Sequence, residues 1–233
     1  MKKQSFENNV YMKIFNWLYI FFVTSLLFSI VNLPFVLCVL FLALDVRNAL
    51  IFWGSLLFFG PALMAGLAVI DRFMEIKTAS PFKDYFHFLR QFFKVGFLYG
   101  AITLLIIGIF GTDIYFFMLH QKIGQFLVPL MLILMVVVLA LFVNVIYFQI
   151  RNPQRDFKSV LKVSLYYLAK RWYLALINAL VLLLLPTLML IKPQFGMVLT
   201  PSLIMLLLYL NCGFLGVTSL AQGLPWSDHS TKD

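Results

Sequence analysis

The chain has 233 residues, of which 63% are hydrophobic and only 12% charged, with a mean hydropathy of +0.97. A soluble fold keeps roughly a quarter of its residues charged, so the apolar excess must face lipid, and a soluble globular domain is excluded. The net charge of +9 is gathered in clusters beside apolar runs, which marks membrane topology rather than a nucleic-acid-binding face, and no nucleic-acid partner is expected.

Residues 1–13 are polar and basic and form an expected cytoplasmic segment. Met1-Lys2-Lys3 resembles the charged start of a secretory signal, but the apolar run 14–44 outlasts the ~7–15 residues of a signal. It is expected to stay as the first span. The run also exceeds the ~20 residues that cross a bilayer as a straight helix. Asn32-Leu33-Pro34 supplies a break, because proline removes a backbone donor and disfavours helix in the residue before it. One long kinked span is expected, a half-span with a re-entrant piece being the alternative. A turn at 45–48 leads into a second span, 49–70, kinked at Gly60-Pro61-Ala62.

The next segment turns polar. Ser80-Pro81 has the form of a helix start, a capping serine with proline at the first helical position. Over 80–94, Lys83, His87, Arg90 and Lys94 recur at helical spacing, while Phe82, Tyr85, Phe86, Phe88, Leu89, Phe92 and Phe93 occupy the opposite arc. This pattern predicts a basic, aromatic amphipathic helix lying in the headgroup layer. A third span (95–119), a loop (120–125) and a fourth span (126–150) follow. A second amphipathic helix is expected at 157–173, with Lys158, Lys162 and Lys170 on its polar side and Ser164 and Arg171 intruding. A fifth span (174–191), a turn (192–196), a sixth span (197–220) and a polar cytoplasmic tail (221–233) complete the chain.

The predicted fold is therefore all-α, a polytopic bundle of about six spans with two cytoplasmic amphipathic helices. With both termini inside the cytoplasmic membrane, every one of the 18 Lys and Arg residues except Arg47, Lys122 and Lys192 falls on the cytoplasmic side, as the positive-inside rule requires. The order span, basic helix, span occurs twice, with Phe82-Lys83 and Phe157-Lys158 as corresponding starts, and this reads either as a weak internal repeat or as convergence.

The chain carries no metal-protease, phosphate-loop or nucleophile-elbow motif. Cys38 and Cys212 stand alone in apolar runs, without the spacing of a metal site. No catalytic, metal or cofactor residue follows, and the chain is expected not to be an enzyme. Asn32, Asn178 and Asn211 are candidates for a polar interior, first as interhelical hydrogen-bonding residues and otherwise as a solute path. Asp113, with His120 seven residues on, is read as lying near the outer headgroups, with a small aqueous pocket as the alternative. Gly96 and Gly100, with Ala62 and Gly66 on the preceding span, permit close backbone approach; packing of this hairpin is expected, with homo-oligomer contact second.

Asn16-Trp17-Leu18, Leu33-Pro34-Phe35, Gly60-Pro61-Ala62-Leu63-x-Ala65 and the later Phe82, Phe86 and Phe92-Phe93-Lys94 resemble the YesL-like family of bacterial integral membrane proteins. That family has no established molecular function. Its members are often encoded beside sugar-uptake and polysaccharide-utilisation genes, so the resemblance implies an accessory role in carbohydrate uptake or its sensing and carries over no site residues. The expected partners are the anionic inner leaflet and a transporter subunit or sensor kinase. A small-solute permease is the alternative function.

Overall fold

The computed structural model describes residues 10–76, 80–119, 121–191 and 193–213. Segment 1–9, Lys77, His120, Lys192, the 214–220 end of the expected sixth span and the 221–233 tail lie outside the described residues.

The first apolar run breaks where its proline stands. Helix α1, Val10–Val31, has 22 residues, about 33 Å at 1.5 Å per residue, enough to cross the hydrocarbon core alone. The short α2, Leu33–Phe41, begins with Pro34 in its first turn. Between them Asn32 adopts φ −90° and ψ 22°, and its side-chain amide donates to the Phe28 carbonyl at 2.9 Å, the carbonyl that its backbone N–H also reaches.

A 3-10 turn, Val46–Asn48, opens the second helical stretch, which continues as α3, Ala49–Ser55, a second 3-10 turn, Leu56–Phe58, and α4, Phe59–Ile76. Pro61 has no N–H to offer the Leu57 carbonyl, and the tighter turn sits just ahead of it. The expected end at residue 70 is corrected: α4 runs on through Asp71, Arg72 and Glu75. Residues 60–70 are all buried, so this is the central helix, and in its last turns Asp71, Phe73 and Met74 stay against protein while Arg72 and Glu75 are exposed.

The expected division between an amphipathic helix at 80–94 and a span at 95–119 is also corrected. Residues Pro81–Leu119 form one helix, α5, of 39 residues, about 58 Å long. Nothing in 82–95 breaks a helix, and Gly96 is held by packing against α4. The aromatic arc is divided as a result: Tyr85 and Phe92 are buried, whereas Phe82 and Phe93 remain exposed. Helix α6, Gln121–Arg151, starts inside the short loop expected at 120–125.

Helix α7, Phe157–Lys170, does stand as a separate element, ended by Arg171 at φ −129° and ψ 53°. The two proposed repeat units thus differ, since the basic segment is fused to the following span in one and free of it in the other. Helix α8, Trp172–Ile191, contains Pro186. The predicted turn at 192–196 is replaced over its described part by the short helix α9, Pro193–Val198, and α10 follows as Thr200–Gly213.

The fold is all-α. Five of the described helical stretches are long and apolar enough to cross a membrane: Ile14–Val31, Ala49–Glu75, Pro81–Met118, Phe126–Arg151 and Trp172–Ile191. Helix α10 has 14 residues, about 21 Å, short of a full crossing within the described residues.

Small residues set the helix spacings. A methyl added at Gly60 would overlap the Gly96 carbonyl oxygen, and one at Gly96 would lie 2.7 Å from the Pro61 Cα. The α4 and α5 backbones are therefore in contact. Ala140 of α6 packs on Ala175 and Ala179 of α8. Ser25 of α1 and Ser202 of α10 share a buried hydroxyl contact of 2.5 Å, and the Ser202 hydroxyl also donates to the Phe21 carbonyl.

Candidate functional site

The carboxyl ends of α4, α6 and α10 and the amino ends of α5 and α8 meet at one end of the bundle. Trp17 of α1 joins them through an edge contact with Phe73, with ring centroids 4.8 Å apart. At the centre stands Arg151, the last residue of α6. Its guanidinium pairs with Asp71 at 2.5 Å and with Glu75 at 2.9 Å and donates to the Tyr209 hydroxyl at 2.7 Å, with the cation also 5.8 Å from the Tyr209 ring centroid. Asp71 and Glu75 are one helical turn apart and so present both carboxylates to one base. The Arg151 and Asp71 side chains are only 14% and 15% exposed, while Glu75 is 56% exposed. One side chain thereby ties three helices together, and the Asp71 pair carries most of the interaction because water screens it least.

A second ion pair stands beside it. Arg72 donates to Asp84 at 3.0 Å, and the other Asp84 oxygen accepts from the Ser80 backbone N–H at 3.0 Å. The start of α5 is thus capped by a buried carboxylate reaching back to Ser80. Between the two pairs lies a crevice of about 240 Å³ lined by Asp71, Arg72, Glu75, Gln91, Phe88 and Phe92, among others. It is polar enough and roomy enough for water. Deeper on α6, Gln149 accepts from the Tyr99 hydroxyl at 2.5 Å.

Two of the three asparagines predicted for a polar interior come together. Asn211 donates to the Asn178 carbonyl oxygen at 2.7 Å and to the Leu174 backbone carbonyl at 2.9 Å, and Asn178 donates to Cys212 Sγ at 3.2 Å. This is a hydrogen-bonded seam between α8 and α10. Asn32 stands apart at the α1–α2 break, and Asp113 is half-buried near the opposite end of α5. Asn211→Leu is expected to cost about 1–2 kcal/mol of helix association, read as a lower melting temperature in detergent, because it leaves the Asn178 carbonyl oxygen without a donor.

Gly60, Pro61, Gly96 and Gly100 lie on the α4–α5 seam, whereas Gly66 faces Met205 of α10. Lys83, His87, Arg90, Lys94, Lys158, Lys162 and Lys170 are all exposed. Among the described residues, no group of three or more His, Cys, Asp or Glu side chains is placed to hold a metal ion.

The Arg151 cluster was not anticipated from sequence. Its signal was Asp71 and Glu75 four residues apart directly after an apolar run, together with an arginine closing another span. Hydropathy alone puts all three in loops. The fold and this charged end suit a multi-pass membrane protein. Comparison with protein families, with curated proteins and with solved structures finds no match for this chain.

Proposed function

We propose that the chain is a six-span protein of the cytoplasmic membrane with both termini cytoplasmic, acting as a non-enzymatic accessory component of carbohydrate uptake or its sensing through its charged end. One observation carries this proposal. Three acids at that end pair within the bundle, Asp71 and Glu75 with Arg151 and Asp84 with Arg72, while Lys83, Arg90, Lys94 and Lys158 are exposed and form no ion pair among the described residues. Internal pairing of these acids leaves a surface with an excess of bases at the ends of the spans. Each base near an anionic leaflet contributes about 1 kcal/mol, and the surface also suits an acidic face of a transporter subunit or sensor kinase. The α8–α10 asparagines are engaged with each other, which favours this role over a solute path. The carbohydrate link rests on the resemblance to the YesL-like family.

Reversing Lys83, Arg90 and Lys94 to glutamate is expected to abolish capture of a transporter or sensor component from native membranes while leaving insertion intact. Co-purification that is unchanged by the reversal would falsify the docking role. Solute flux in proteoliposomes that disappears in Asn178→Leu and Asn211→Leu would transfer the assignment to a permease.

A further inference from the structure

Helix α7 lies across the end of α6 rather than alongside it. The turn between them is closed by the Arg155 backbone N–H, which donates to the Asn152 carbonyl at 3.1 Å, so α7 starts close to the last turn of that span. The Phe157 ring lies 5.5 Å from that of Tyr99, whose hydroxyl reaches Gln149, and Tyr167 near the other end of α7 lies 5.4 Å from Phe148. Both contacts fall at the level of Phe148 and Gln149. Arg171 then ends α7 and leads directly into Trp172, the first residue of α8, so both ends of α7 are tethered to the boundary of a membrane span. Three faces follow from the 3.6-residue turn. Val160, Val163 and Tyr167 are buried. Lys158, Lys162, Tyr166 and Lys170 recur every four residues as an exposed row, with the Lys170 ammonium 5.5 Å from the Tyr166 ring centroid. Between the row and the buried face, Phe157 and Leu165 are apolar yet 40% and 47% exposed, and Trp172 beyond them is 62% exposed. The segment 157–173 carries four bases and no acid.

We propose that α7 lies in the headgroup layer of an anionic leaflet, with Lys158, Lys162 and Lys170 on the phosphates of acidic phospholipids and Phe157, Leu165 and Trp172 at the acyl boundary. Neither water nor an acidic protein face accounts for the apolar shoulder, whereas a headgroup layer offers phosphate and hydrocarbon within the width of one helix. Lysine suits the position because its apolar stem lies along the boundary while the ammonium reaches outward, and an indole at the end of a span sits at the same depth. The first turns of α5, by contrast, run unbroken into their span, and their bases stay with the docking role. The proposal rests on this end of the bundle facing an anionic leaflet but not on the accessory role, and the two have separate readouts, lipid preference here and partner capture there.

The test uses the full chain with Trp17, Trp53 and Trp226 changed to phenylalanine, so that Trp172 is the remaining indole. It is reconstituted in phosphatidylcholine vesicles containing rising shares of either phosphatidylglycerol or phosphatidylcholine brominated near the carboxyl end of the acyl chains. Bromine quenches at contact, so the signal reports the lipids touching Trp172. Half-maximal quenching is expected at a roughly fivefold lower share of the brominated phosphatidylglycerol, the factor that follows from about 1 kcal/mol for one fully engaged base. The preference is expected to vanish in about 1 M salt, where the screening length is ~3 Å. Lys158→Gln, Lys162→Gln and Lys170→Gln in one chain are expected to abolish it without lowering the melting temperature, because these side chains are exposed. Lys83→Gln, Arg90→Gln and Lys94→Gln are expected to leave it in place. Equal quenching by the two lipids overturns the proposal and leaves the row to an acidic protein face. A preference that survives the α7 substitutions, or that the α5 substitutions remove as fully, overturns it as well, and so does the absence of quenching by either lipid.

Discussion

Arg151→Met is expected to destabilise the bundle by about 3 kcal/mol, the lower end of the cost of removing one partner from a buried ion pair. The loss comes mostly from Asp71, whose carboxylate is left nearly buried without a cation. Glu75 is more than half exposed and can take up water, so Glu75→Gln alone is expected to cost under about 1 kcal/mol. Removing both charges, as Arg151→Met with Asp71→Leu, should recover most of the stability, because well-packed apolar side chains often replace a buried pair without loss. Melting in detergent ranks the variants. A second readout comes from the chain itself: Cys212 is buried on α10, the helix that Tyr209 links to Arg151. In a Cys38→Ser background, Arg151→Met should accelerate labelling of Cys212 by a thiol reagent, and the double variant should slow it again. A single variant as stable as the native chain would show that Arg151 does not hold the three helices together.

The same residues show what could and could not be read from the chain. Hydropathy and the positions of the bases were enough for an all-α bundle of long apolar helices, because lipid leaves the backbone few other ways to satisfy its hydrogen bonds. The break at Asn32-Leu33-Pro34 was legible for a local reason, the missing proline donor. The start of α5 at Pro81 was legible from Ser80-Pro81, but the carboxyl end of α4 was not, because a polar residue next to protein and one next to water look alike in sequence. Asp71 counts as the start of a loop by composition and as core by contact. The fusion of 80–94 to the following span was hidden for a related reason. An amphipathic pattern gives the two faces of a helix but not its axis direction, and the burial of Tyr85 and Phe92 depends on α4 being there to receive them. The asparagines were legible as a residue type, but their pairing was not, since it depends on the register of α8 against α10.

Gly60→Ala is expected to be the most disruptive of the conservative glycine substitutions, and the reason lies in what each added methyl would meet. At Gly60 the obstacle is the Gly96 carbonyl oxygen, a backbone atom in the middle of a helix, so relief requires α4 and α5 to separate along their seam. Overpacking of this kind costs roughly 1–3 kcal/mol and occasionally more. At Gly66 the obstacle is the thioether of Met205, which can rotate away, and the cost should be smaller. At Gly111 nothing lies within 4 Å, so alanine there should be neutral or stabilising by up to ~1 kcal/mol through helix propensity alone. The order of melting temperatures is therefore expected to be Gly111→Ala highest, Gly66→Ala intermediate and Gly60→Ala lowest. Equal melting of all three variants would mean that the α4 and α5 backbones are not in contact at Gly60 and Gly96.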